Sequence, residues 1–82
     1  MQLDPDSVYE QIEARRILHP LSAALQQAGI ASAISDARCM LGIVLGRDDG
    51  VLPHEIIAYW QPEQSRALDA LQQRRQTGEP IS

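Results

Sequence analysis

Glycine and proline residues divide the 82-residue chain into short segments, and this division most constrains its fold. Within the segments, apolar residues recur at the i, i+3, i+4, i+7 spacing of one helix face, and the alternation typical of strands is essentially absent. We therefore predict an all-α fold, a small bundle of about five short helices with no sheet. At this length, residues 1–82 form a single helical domain.

The first two predicted helices lie on either side of a proline. Asp6 or Ser7 is expected to cap the first helix, which runs to about Leu18. Pro20 suits the first turn of a second helix, because its missing N–H has no partner there, and Gly29 suits the left-handed position that ends it. The side chains expected to face inward are Val8, Tyr9 and Ile12 in the first helix and Leu21, Ala24, Leu25 and Ala28 in the second.

Three further helices are predicted in the rest of the chain. Ser35 is expected to cap the third helix, and Gly46 to end it. Pro53 begins a short fourth helix, while Pro62 begins the last one, which stops at Gly78. The expected apolar faces are Ala37, Met40, Leu41, Val44 and Leu45 in the third helix, Ile56, Ile57 and Tyr59 in the fourth, and Ala67, Leu68 and Leu71 in the last.

Charge and cysteine content restrict the classes of protein to which the chain can belong. Its formal net charge of -4 argues against nucleic-acid binding, because affinity for a polyanion depends on clustered basic residues. Cys39 is the only cysteine, which excludes an intrachain disulfide. No apolar run approaches the length of a membrane span, and no leader pattern is present, so we expect a cytoplasmic protein that does not enter a membrane.

No group of residues has the spacing of a catalytic, metal or cofactor site. His19, Cys39 and His54 are the only soft metal ligands, and their separation matches no zinc-site pattern. Cys39 is expected to be a small apolar filler on its helix, and a cysteine- or histidine-dependent enzyme would need a convergent constellation. Because the glycine-rich fingerprints of nucleotide-binding loops are also absent, we expect no cofactor and no catalytic residue in this chain.

Partner-binding residues are suggested by the aromatic side chains and the arginines. Tyr59 and Trp60 favour a recognition patch, since aromatic residues often anchor interfaces, but in a chain without phenylalanine they are equally expected in the core. The arginines are candidates for a polar rim, with a solvated surface as the alternative. The candidate partner-binding residues are Arg38, Arg47, Tyr59, Trp60, Arg74 and Arg75.

Three segments, in order, resemble the N-terminal domain of release factor glutamine methyltransferases, the HemK/PrmC family. Residues 35–47, Ser-Asp-Ala-Arg-Cys-Met-Leu-Gly-Ile-Val-Leu-Gly-Arg, are similar to the family's Asp-Ala-x-x-Leu-Leu-x-x-Val-Leu-Gly stretch. Residues 25–30, Leu-Gln-Gln-Ala-Gly-Ile, resemble the preceding helix end, and residues 74–81, Arg-Arg-Gln-Thr-Gly-Glu-Pro-Ile, resemble the family's Arg-Arg-x-x-Gly-Glu-Pro-Ile/Val. The resemblance covers roughly residues 20–82 and departs from the family at residues 61–63.

This resemblance implies a helical bundle that precedes a Rossmann-like methyltransferase domain. That second domain uses S-adenosylmethionine to methylate the glutamine of the Gly-Gly-Gln motif in bacterial peptide chain release factors, and it carries the family's Asn-Pro-Pro-Tyr motif. This chain has no asparagine, so no catalytic residue is carried over. The expected function is non-catalytic recognition and positioning of the release factor, with the chain's own C-terminal methyltransferase domain as a second partner.

An alternative function is a stand-alone helical protein–protein interaction module. Its anchors would be Ile56, Ile57, Tyr59 and Trp60.

Overall fold

The structure, a computed structural model, describes residues 8–78. Within those residues the chain forms three helices and one two-stranded antiparallel sheet. Helix α1 (Ala14–Gln27) packs against α2 (Ala33–Val44), and α3 (Pro62–Gln76) packs against both. The fold is thus predominantly helical, as predicted, but the prediction of about five helices without a sheet is wrong. In chain order, the elements are β1 (Ile12–Glu13), α1 (Ala14–Gln27), α2 (Ala33–Val44), β2 (Ile56–Ile57) and α3 (Pro62–Gln76).

Two segments predicted to be helical pair with each other as extended chain instead. Ile12 lies opposite Ile57 in the sheet, and the backbones of Tyr9 and Trp60 exchange two N–H···O bonds of 2.9 Å. Branched and aromatic side chains of this kind suit a half-buried pleated surface. The predicted first helix is therefore wrong at residues 8–13, and the predicted fourth helix is also wrong. Val8, expected to face inward, is 56% exposed.

Helix α1 begins at Ala14 because the loop before β2 supplies acceptors for its first backbone N–H groups. The N–H of Ala14 donates to the carbonyl oxygen of Glu55 at 2.9 Å, and that of Arg15 donates to Pro53 at 3.2 Å. The first N–H groups of a helix have no partner within the helix, so these bonds take the place of a side-chain cap. The cap predicted at Asp6 or Ser7 lies outside the described residues.

Pro20 lies inside α1, so the predicted break between two helices is wrong. Proline cannot donate to the carbonyl of the residue four positions earlier, here Arg16, and this normally disfavours a helix interior. The helix nevertheless continues because its apolar side chains are buried on both sides of the proline. These buried residues are Ala14, Ile17, Leu18, Leu21 and Leu25.

The predicted ends of the helices agree more closely with the structure than their predicted starts. All three glycines expected to end helices have positive φ, namely Gly29 (84°), Gly46 (75°) and Gly78 (99°), a conformation that glycine adopts at low cost. Helix α3 starts at Pro62, as predicted. Helix α2, however, starts at Ala33 with Ser32 before it, so the cap predicted at Ser35 is wrong.

The core lies where the three helices meet the short sheet. The side chain of Trp60 is buried there, and its Nε1–H donates to the hydroxyl of Ser65 at 2.8 Å. Ala28 and Ala67, both predicted to face inward, are exposed. The largest fully buried side chains are Trp60, Leu25, Met40, Leu41 and Val51. Among residues 8–78, no helix combines the length and the apolar character needed to cross a membrane.

Candidate interaction surface

A groove lies between α1 and α2, and the loop before β2 contributes to its lining. Its volume is about 230 Å³, and its walls are almost wholly apolar. This α1–α2 groove is lined by Leu18 and Ser22 from α1, Ile34 and Ala37 from α2, Pro53 from the loop, and the basic side chains of Arg15, His19 and Arg38. It is an opening for apolar side chains with positive charge beside it.

Ile34 gives the groove an apolar side chain that the fold leaves uncovered. It precedes the fully buried Leu41 by seven residues, or about two turns, and so lies on nearly the same face of α2. The core covers this face at Leu41, whereas Ile34 is 60% exposed. Ala33 and Ala37 are buried in the same part of α2, so Ile34 lies at the edge of the core, with its side chain in the groove.

Arg38, which also lines the groove, has an unmatched polar group. Its Nε is buried, and it has no hydrogen-bond partner in the part of the chain that the structure describes. Burying a charged donor without a partner costs free energy, about 1–3 kcal/mol or more. This atom is covered in the structure, so it marks a local cost of the fold and is not a donor that faces the groove.

A second depression adjoins the groove and adds to its positive charge. It has a volume of about 460 Å³ and shares Arg15 and His19 with the groove, while Arg16 and Pro20 complete its lining. Glu13 lies beside these arginines and forms an ion pair with Arg15. Among the described residues, the ionisable side chains that line the groove and this depression are all basic, in a chain whose net charge is negative.

Among the predicted partner-binding residues, Arg47 is held by two carboxylates of its own chain. It donates to Glu55 at 2.6 Å and to Asp49 at 3.2 Å. The hydrogen bonds from Arg47 lower the pKa of both the Glu55 and Asp49 carboxyls and raise the pKa of the guanidinium. Glu55 also accepts the backbone N–H of Leu52 at 2.8 Å, so the cluster fastens the loop that leads into β2.

Arg75 is likewise engaged within the fold, since its Nε donates to Asp36 at 2.8 Å and joins α3 to the start of α2. Asp36 also accepts a bond of 2.9 Å from the hydroxyl of Ser32. Arg74, next to Arg75, is exposed.

The two aromatic candidates are placed in different environments. Tyr59 is 57% exposed, whereas Trp60 is 1% exposed and belongs to the core. Tyr59 is thus exposed, as a recognition patch requires, whereas Trp60 takes the alternative position in the core. The other anchors of the alternative interaction module divide in the same way, since Ile56 is exposed and Ile57 is buried.

The residues considered for chemistry are scattered. Cys39 is exposed, so the prediction that it fills the core is wrong, and His19 and His54 are also exposed. Across residues 8–78, no three side chains among His, Cys, Asp and Glu converge in a way that could hold a metal ion.

The groove was missed by the sequence reasoning, although one signal for it was available. Ile34 and Arg38 are separated by four residues, which places them side by side on a helix. Because the sequence predicts that the helix starts at Ser35, Ile34 lies outside the predicted helix, and its position on the same face as Leu41 is not apparent.

Comparison with known families gives a match to the model described as the PrmC N-terminal domain, over residues 16–82. This range includes α1 from residue 16 onward, and the whole of α2, β2 and α3. It therefore covers seven of the eight residues that line the α1–α2 groove, all but Arg15. No curated protein and no solved structure matches the chain.

Proposed function

The chain belongs to the family of PrmC N-terminal domains, the N-terminal part of release factor glutamine methyltransferases, and we propose from this that it recognises and positions the protein substrate of such an enzyme. The substrate is a bacterial peptide chain release factor, and the methylated atom is the side-chain nitrogen of the glutamine in its Gly-Gly-Gln motif. The observation that carries the proposal is the family match, which covers more than half of the chain.

The surface of the domain supports a binding role. Ile34 is an exposed apolar side chain beside basic groups in the α1–α2 groove, a combination found at protein interfaces. Ile56 and Tyr59 are two further exposed apolar side chains, in and after β2.

The mechanism of such a domain is binding rather than bond making. Contacts far from the reacting atoms accelerate a reaction by holding the glutamine and the methyl donor in position, which lowers the entropic part of the barrier. In this proposal the chain's own residues bind the release factor, while a second domain of the enzyme binds the donor and transfers the methyl group.

S-Adenosylmethionine does not fit the two depressions described above. The donor carries a positive sulfonium, whereas both depressions are bordered by arginines. The groove, at about 230 Å³, is also below the 300–1,000 Å³ typical of cofactor pockets. We therefore derive no step of methyl transfer from these residues and assign the donor site to the methyltransferase domain.

The first test is the coding sequence that follows the codon for Ser82. We expect it to encode a linker, a glycine-rich donor-binding loop and an Asn-Pro-Pro-Tyr motif. An immediate stop codon would contradict the proposal and would favour the stand-alone interaction module, with Ile56 and Tyr59 as its exposed anchors.

The second test separates recognition from chemistry. Methyl transfer from S-adenosylmethionine is measured with the full enzyme and with a form that lacks residues 1–82, on two substrates, an intact release factor and a short Gly-Gly-Gln peptide. Loss of the domain should reduce kcat/KM at least tenfold on the intact factor and leave kcat/KM on the peptide unchanged, because the peptide lacks the remote contacts. Equal losses on both substrates would refute a recognition role.

A further inference from the structure

We propose that the α1–α2 groove binds a segment of the protein substrate in which a branched apolar side chain stands next to a carboxylate. The apolar side chain enters the groove beside Ile34, and the carboxylate accepts hydrogen bonds from Arg38. This inference rests on the proposed function for the identity of the partner, and on the groove itself for the chemistry of the segment.

The shape of the groove selects a side chain rather than a cofactor. A volume of about 230 Å³ accepts one or two apolar side chains, and the almost wholly apolar walls offer little to a polar ligand. Ile34 and Leu18 flank the opening from α2 and α1, so a branched side chain placed between them extends the helix–helix packing. Burial of such a side chain, together with Ile34, supplies the hydrophobic part of the affinity.

The charges of the groove select an acidic neighbour for that side chain. Its ionisable lining residues are all basic, namely Arg15, His19 and Arg38, in a chain with net charge -4. A carboxylate is the group that forms short, charge-assisted bonds to a guanidinium. Charge complementarity therefore points to a carboxylate as the ligand group.

The arrangement favours a peptide over a nucleic acid or a free anion. Nucleic-acid backbones are bound by rows of basic groups. The basic side chains of the α1–α2 groove instead lie beside an apolar opening, which a phosphate group would not fill. A peptide segment supplies both an apolar side chain and a carboxylate from adjacent residues.

The experiment is a titration of the ¹⁵N-labelled 82-residue chain, followed by NMR chemical shifts of the backbone amides. One titrant is an intact bacterial release factor, and the others are the peptides acetyl-Gly-Leu-Glu-Gly-amide and acetyl-Gly-Leu-Gln-Gly-amide. We expect shifts centred on Ser22, Ile34 and Arg38, and stronger binding of the Glu peptide than of the Gln peptide. The difference between the peptides should shrink as salt is raised, because salt screens the charge interaction.

Two groove variants and two matched controls locate the binding site. Ile34→Glu and Arg38→Gln should each weaken binding of the release factor about tenfold or more. Ile43→Glu is the control for the first, since Ile43 is 47% exposed and lies nine residues, about 2.5 turns, along α2 on its opposite face. Arg66→Gln on α3 is the control for the second. Both controls should change affinity less than twofold, and a dispersed amide spectrum verifies that each variant is folded.

Each other outcome overturns a defined part of the proposal. If the release factor binds but the groove variants match the controls, the groove proposal is wrong and the proposed function stands. If the release factor does not bind while the Glu peptide shifts the groove amides, the identity of the partner fails together with the proposed function, and the chemistry of the groove stands. If neither binds, both proposals fail.

Other occupants of the groove give distinguishable results. If the separate methyltransferase domain protects the groove amides, the groove belongs to an interface within the enzyme. If the chain dimerises in sedimentation experiments and Ile34→Glu abolishes the dimer, the groove binds a second copy of the chain. Equal shifts with inorganic phosphate would identify a simple anion site. Each of these results would overturn the proposal.

Discussion

Gly42 is the glycine at which an added Cβ would meet the closest atom, and replacing it with alanine tests the packing of the loop that follows α2. Gly42 is buried in α2, and an added Cβ would lie 2.5 Å from the backbone carbonyl oxygen of Asp49. Ordinary contact begins near 3.4 Å, so the loop would have to move by roughly 0.9 Å. A backbone atom cannot turn away as the end of a flexible side chain can.

Bonds on both sides of the contact resist that movement. On the N-terminal side of Asp49, the N–H of Arg47 donates to the carbonyl of Gly42 at 2.8 Å. On its C-terminal side, the N–H of Val51 donates to the carbonyl of Arg38 at 3.2 Å. Overpacking a well-packed site costs about 1–3 kcal/mol, and the higher helix propensity of alanine offsets about 0.8–1 kcal/mol of this. Because the loop is held at both ends, we expect a net loss of about 1–2 kcal/mol in the free energy of unfolding.

The assay is urea unfolding of Gly42→Ala and of the parent chain, followed by helical circular dichroism. In thermal unfolding, the same loss corresponds to a decrease in Tm of roughly 5–15 °C for a domain of this size. Ile43→Ala is a matched control because Ile43 is the next residue and is largely exposed, so its change should stay within about 0.5 kcal/mol. If Gly42→Ala instead stabilises the chain by about 1 kcal/mol, helix propensity has prevailed and the tight contact with the loop is refuted.

Three other contacts give separate predictions. Trp60→Phe keeps a buried ring but loses the indole N–H bond, and it should lower the free energy of unfolding by about 1–3 kcal/mol in urea titrations; an unchanged midpoint would contradict the role of that bond. Asp36→Asn and Arg75→Gln, combined in a double-mutant cycle, should show a coupling of about 0.5–1.5 kcal/mol, and zero coupling would exclude the ion pair as a tie between α2 and α3. Glu55→Gln should lower Tm at pH 7, because Arg47 depresses the folded pKa of Glu55 below its ordinary 4.5. The difference in Tm should disappear as the pH falls through the folded pKa, and a pH-independent difference would refute the charge interaction.

The parts of the fold that the sequence predicts well are those determined by neighbouring residues. The apolar face of α2, the proline that starts α3 and the three glycines that end helices are all local features, and they appear as expected. The predicted face of α3 is confirmed at Leu68 and is wrong at Ala67. The sheet is different, because Ile12 and Ile57 are 45 residues apart and neither segment alone indicates its partner. Short apolar runs of this kind fit a helix or a strand equally well until the pairing is known.

The surface could be predicted only in part, for a similar reason. An arginine in a sequence does not reveal whether a carboxylate of the same chain is near it. Arg47 and Arg75 have such partners, through Glu55 and Asp36, whereas the Nε of Arg38 has none among residues 8–78. These three arginines, all predicted to belong to one polar rim, thus differ in whether the fold already supplies a carboxylate to them.

The start of α1 shows how distant contacts determine both the fold and the proposed binding surface. Pro20 favours a break in the helix by its local chemistry, but the backbone N–H groups of Ala14 and Arg15 bond to the loop before β2, and the buried leucines hold the helix on both sides of the proline. One continuous α1 carries Arg15, Leu18 and Ser22 along the same side, where they line the groove against α2. A helix that broke at Pro20 would separate these side chains. The groove therefore depends on the same long-range bonds that override the local preference of the proline.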